Sequence, residues 1–300
     1  MKLRANIFTV LTIVLAMVVP SQAKGVKLKF EAAIYSDDKG GKLYLPEGAD
    51  CSATHLVVAD SGNHRLVSYA INDKTISFKS EIPLPKSYPL VVHLDSGGDI
   101  FVLDGKERRI MHLGAGGEDK GYLNPVSLPA PDKMVPKSFI IDKEDNFYVL
   151  DIFSSRVLKI DKNGKFLRLI SFPENADSIT DLALTPQGDV LILDAVAGAM
   201  YKAGPAATIF SLLAENMKEY SNFPDRLTTD GQGTIYVVDQ YGNGIITLGP
   251  DGSFLGRHSG MGWQESLLRY PSSICSDQGG ELFVVDRNNH RVQVFSSLEN

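Results

Sequence analysis

The chain has 300 residues, 43% hydrophobic and 22% charged, with a formal net charge of −6, as a soluble globular protein has. Its acidity and the lack of any basic run exclude a surface built for a nucleic-acid backbone. Its two cysteines, Cys51 and Cys275, cannot supply a four-cysteine zinc site.

The first predicted element is a targeting segment. Lys2 and Arg4 precede an apolar run from Ile7 to Val19, and Ser21-Gln22-Ala23 supplies small residues for a cut after Ala23. Residues 1–23 therefore read as a signal peptide. The run of 13 residues is shorter than the roughly 20 of a membrane span, and no other segment is apolar for long enough. Losing Lys2 and Arg4 takes the net charge from −6 to −8 for residues 24–300. Export to a periplasmic or extracellular compartment is the expectation, and an oxidising compartment permits one disulfide.

Next comes a strand. Val26, Leu28, Phe30, Ala32 and Ile34 alternate with Lys27, Lys29, Glu31 and Ala33, a largely period-two pattern. From there a repeat governs the chain. An apolar run ending in aspartate occurs six times, at Asp60, Asp104, Asp151, Asp194, Asp239 and Asp286, with spacings of 44, 47, 43, 45 and 47 residues. Nine residues earlier stand Asp95, Asp142, Thr185, Asp230 and Asp277, each followed by a turn, and Pro89, Pro136, Pro224 and Pro271 open several units. After the aspartate a polar turn leads to a third run, as at Arg65-Leu66-Val67 and Arg156-Val157-Leu158. Lys165–Ile170 and Ser253–Gly256 read as fourth strands.

Short apolar runs punctuated by Gly, Asp and Pro are hairpin signals. Four strands per repeat of about 40–50 residues make a propeller blade. The fold class is therefore all-β: a six-bladed β-propeller over residues 24–300, with four-stranded antiparallel blades. The sixth unit ends at its third strand, Val292–Phe295, so the N-terminal strand is expected to complete the last blade. Ser211–Tyr220 reads as a helical decoration on the fourth blade. Cys51 and Cys275 both lie near first strands of blades that ring closure makes neighbours. A disulfide across that seam is one reading, and two separate buried thiols the other.

Asp60-Ser61-Gly62-Asn63-His64-Arg65 and Asp286-Arg287-Asn288-Asn289-His290-Arg291 are near copies. Their Asn-His-Arg resembles the signature of the NHL repeat family, and Gly260–Gln264 resembles the glycine-rich lead-in of such repeats. The resemblance implies a propeller that acts as a binding platform, with a minority of relatives being enzymes.

A group present in every blade serves a need of every blade. The six aspartates, with His64, His290, Arg65 and Arg291, are therefore read as turn residues. Function belongs where blades differ, on the loops after the aspartates and before the prolines, which share one face. The candidates for contact with a protein or peptide partner are Lys106, Arg108, Phe153, Tyr241, Trp263, Arg287, Tyr88 and Arg226, types favoured at binding hot spots. Carbohydrate is a further candidate ligand.

No catalytic residue, metal ligand or cofactor is assigned. Among the histidines outside the repeat motif only His93 falls on an expected innermost strand. Its counterparts Ile140, Ala183, Thr228 and Cys275 make no three-histidine ring, and no matching carboxylates are expected on those strands apart from the turn aspartates. The alternative function is a metal-dependent lyase or hydrolase with its site in the central channel.

Overall fold

Each apolar run ending in aspartate forms the second strand of a blade, and every one of the six is buried along its length, as at Ile100–Asp104 and Ile235–Asp239. The burial is two-sided because successive strand residues point to opposite faces. In His55–Asp60, Leu56 and Val58 join the core shared with the sixth blade, whereas Val57 and Ala59 join the core shared with the second. Six such clusters lie between neighbouring blades and close the ring.

The structure, a computed structural model, describes residues 25–299 except 38, 73, 74, 177 and 278. These form six antiparallel four-stranded sheets. The innermost strands are Gly48–Cys51, Pro89–Leu94, Pro136–Ile141, Ile179–Leu184, Pro224–Thr229 and Ser273–Ser276, for blades one to six. Blade six is completed by Val26–Ile34, which pairs antiparallel with Arg291–Glu299. The seam thus joins the first and last strands of the described residues. It also carries a disulfide between Cys51 and Cys275, with Cα atoms 5.9 Å apart and a sequence separation of 224.

Turns at the far end of the first hairpin share one geometry. Gly98, Gly188, Gly233 and Gly280 hold φ of 82–90°, a left-handed conformation that glycine takes without Cβ strain. In the third blade Asp145 fills the same position at φ 62°.

One expectation is corrected. Ser211–Tyr220 is not a helix: Ser211–Ala214 is the outer strand of the fourth blade, and only Met217–Glu219 makes a 3-10 turn. The pairing of Tyr201 with Leu212 satisfies backbone groups along the blade edge, a tertiary gain that local propensity does not register. The signal-peptide assignment falls on residues outside those described. No helix among the described residues is long and apolar enough to cross a membrane.

Candidate functional site

The aspartate turns build one face. Five of the six aspartates accept a backbone N–H from the residue 16 positions earlier: Tyr44, Tyr88, Val135, Ser178 and Phe223 donate to Asp60, Asp104, Asp151, Asp194 and Asp239. Arg269 donates to Asp286 from 17 positions earlier. Each aspartate therefore ties the lead-in of its own blade to the turn after its second strand. Asp60, Asp151 and Asp286 also hold the Nε of Arg65, Arg156 and Arg291 at 2.7–2.9 Å. At Asp239 the cation comes from the fourth strand, through Arg257 Nη1 at 2.7 Å.

Four residues after each aspartate the backbone turns left-handed, with φ of 49–65° at His64, Arg108, Ser155, Gly198, Asn243 and His290. Arg108 thus holds the position of the motif histidines. The histidines reach the next blade. His64 Nδ1 lies 2.8 Å from the Ser87 carbonyl, and His290 Nδ1 accepts from the Leu45 N–H at 3.1 Å. The rings also pack, on Tyr88 and Tyr44.

At the centre of this face is a mouth of about 630 Å³, to which every blade contributes. Glu47, Leu90, Lys137, Thr180, Asp225, Arg226 and Arg287 bring its polar groups and neck, and Ile152, Phe172, Ile179, Phe223 and Tyr270 an apolar wall. Arg287 Nε donates to Glu47 Oε1 at 2.7 Å, and the Tyr88 hydroxyl donates to the same oxygen at 3.3 Å. Burial pulls the Arg287 guanidinium down, but Glu47 outweighs it and holds it above its usual value. Burial, followed by the charge of Glu47, raises the Tyr88 hydroxyl. Phe223, Tyr241 and Tyr270 form an aromatic row with ring centroids 4.8 and 5.5 Å apart.

Arg226 and Leu90 line both the mouth and a narrower channel of about 280 Å³ below it. Here a second expectation is corrected: the innermost strands do carry carboxylates. Asp50 Oδ1 lies 3.2 Å from His93 Nδ1. Asp181 accepts from the Ser138 hydroxyl at 2.6 Å, from the Leu227 N–H at 3.1 Å and from Arg226 at 3.4 Å. Burial pushes the Asp181 carboxyl up despite Arg226. The strand register pairs Asp50 with Val57 and His93 with Phe101, so Asp50 is the first-blade counterpart of His93. The first blade has no aspartate nine residues before Asp60, so counting from that turn never reached Asp50.

Of the sequence candidates, the fold gathers Arg226 and Arg287 in the mouth, and Tyr88 joins them through Glu47. Phe153 and Tyr241 stand exposed on the same face. Lys106 and Arg108 are exposed on the second blade's turn. Trp263, beside exposed Met261, projects from the lead-in of blade six, and none of these last three residues lines the mouth. Sequence reasoning missed Glu47, Lys137 and Asp225. Each follows a proline, at Pro46, Pro136 and Pro224, and that position faces the mouth.

Residues 268–295 match the NHL repeat model. The human NHL repeat-containing protein 3 (Homo sapiens) is 35% identical over 83 residues, 27% of this chain and 24% of that protein. The match therefore spans about a quarter of that relative. Virginiamycin B lyase from Staphylococcus aureus superposes with a TM-score of 0.58 at 15% identity, over 90% of this chain and 99% of that one. A gluconolactonase from Xanthomonas campestris gives 0.63 at 14%, over 92% of each chain. A calcium-binding regucalcin from Agrobacterium tumefaciens gives 0.62 at 9%, over 90% and 94%. At such identities the likeness is one of fold, and one fold hosts many functions.

Proposed function

We propose that this NHL-repeat propeller is an exported, non-enzymatic platform that holds a protein or peptide partner on the face of the aspartate turns. One observation carries the reading. Phe153, Val196 and Tyr241 each stand two residues after the repeated aspartate on blades three, four and five, with 67%, 44% and 49% of their surface exposed. Large apolar side chains at one register on three consecutive blades, beside a mouth with paired charges, have the anatomy of a binding surface with a polar centre. Export rests on the sequence of residues 1–23.

A photo-crosslinking residue placed at Val196 tests this, with one at the exposed Ile209, on an outer loop, as control. The expected result is a discrete partner adduct from position 196 only, lost in the Phe153→Ser/Tyr241→Ser variant. Equal adducts from both positions, or none from 196, would overturn the proposal.

The Asp50–His93 pair in the channel favours the second reading, a propeller lyase or hydrolase. It can be tested by the metal content of the protein purified without chelator. One equivalent of zinc or calcium, lost on His93→Ala substitution, would move the function into the channel.

A further inference from the structure

The charges of the mouth are unequally committed. Arg287 is closed onto Glu47 at 2.7 Å. Arg226 meets its carboxylates only at long range, 3.4 Å to Asp181 and 3.6 Å to Asp225, so a fork with five N–H donors keeps capacity for another acceptor. Lys137 lines the same mouth, half-buried on the innermost strand of blade three. It has no ion pair among the described residues. Its ammonium therefore keeps donors for a ligand in the mouth, and a carboxylate is the acceptor that meets it most directly.

The shape narrows the choice. The mouth is fenced by all six blades and narrows at Arg226 into the channel, so a chain end enters it more readily than a loop that must turn back. Its volume lies within the roughly 300–1,000 Å³ of ligand pockets. Beside the two cations stands the apolar wall, which suits side chains rather than a hydrated anion alone.

We infer that the mouth seats the free C-terminal carboxylate of an extended peptide, held by Lys137 and Arg226, with apolar terminal side chains against Phe172, Ile179 and Phe223. The inference rests on the platform reading and names the part of the partner that reaches deepest. The preceding residues of the peptide lie over the arc of Phe153 and Tyr241.

The probe is a hexapeptide library with apolar residues at its last two positions, made once as the free acid and once as the C-terminal amide. Each form is passed over the immobilised protein and over its Lys137→Met variant, with circular dichroism confirming the fold. The wild type is expected to retain free acids over amides by about tenfold. Lys137→Met removes that preference without losing the fold. Equal retention of acid and amide, or retention of neither, overturns the inference. A position-196 adduct that persists in that case leaves the platform standing and removes only the terminal-carboxylate assignment.

Discussion

His290 Nδ1 accepts the backbone N–H of Leu45 at 3.1 Å, across the seam and 245 residues away in sequence. Its repeat counterpart His64 places the same atom 2.8 Å from the Ser87 carbonyl. A carbonyl can only accept, so His64 carries its proton on Nδ1, whereas His290 must leave Nδ1 bare and carry the proton on Nε2. One motif residue thus serves two blade junctions with opposite tautomers. Long-range ¹⁵N–¹H correlation spectra of the neutral rings should show two different tautomers. Identical tautomers would contradict one of the two contacts.

The two histidines should also differ in consequence. His290→Ala leaves the Leu45 N–H without its acceptor at the junction that closes the ring, and the expected cost is about 1–3 kcal/mol. The chemical denaturation midpoint reports it. A variant as stable as the parent would mean that water replaces the ring.

Asp286 is fully buried and accepts from the Arg269 N–H and from Asn289, Arg291 and Gln293. Arg291 keeps only 2% of its side-chain surface. Asp286→Ala therefore strands a buried guanidinium, for which about 3–5 kcal/mol is the usual loss. Among the described residues the Asp104 carboxylate accepts only the backbone N–H groups of Tyr88 and Lys106, while Arg109 turns to Asn124 and Tyr122. Asp104→Ala should cost less, and thermal unfolding of both variants side by side gives the ranking.

The disulfide spans 224 residues of chain. In the chain-entropy model a loop of this length makes its loss cost about 5 kcal/mol. The Cys51→Ser/Cys275→Ser variant should unfold at correspondingly lower denaturant concentration, and the parent in reductant should match it. A parent unaffected by reductant while the double variant is destabilised would point to packing rather than to the bond.

Deleting residues 26–34 should cost more than an edge strand normally would. Leu28 and Phe30 pack on the core between blades five and six, and Ala32 and Ile34 on the core between six and one. Both clusters open when the strand is removed. Loss of a single cooperative transition is the expected outcome, and a variant that still unfolds in one step near the parent's midpoint would show that blade six stands on three strands.

Acid should weaken the protein through carboxylates such as Asp142. Burial pushes that carboxyl up, but the Asn146 side chain and N–H and the Lys159 ammonium outweigh it and hold it below its ordinary value of 3.8. A folded-state value below the unfolded one contributes stability that is present above about pH 4 and is lost as the pH falls through the folded value. Asp142→Asn should therefore be destabilised by about 1–2 kcal/mol at pH 7, with the gap to the parent closing below pH 4 in urea titrations. A gap that does not change with pH would assign the loss to turn geometry instead.

Much of this was legible in sequence for a physical reason: a repeat imposes the same problem six times, so its solution is written six times. The spacing of Asp60 to Asp286 and the alternation from Val26 to Ile34 were enough for the blade count and the closing strand. Ser211–Ala214 was misread because a fourth strand is held by its neighbour rather than by its own pattern. The mouth was half legible. Arg226, Arg287 and Tyr88 stood out as types favoured at interfaces, but Glu47, Lys137 and Asp225 each occur once, at a position defined only by a proline in the preceding place.

By itself the sequence determined the architecture, because backbone hydrogen bonding and two-sided burial must be satisfied in every repeat and so leave periodic marks. Only the tertiary structure decided which charges meet. Glu47 and Arg287 lie 240 residues apart, and Asp181 and Arg226 belong to different blades. Such pairs carry no spacing rule, since ring closure alone sets the distance between them.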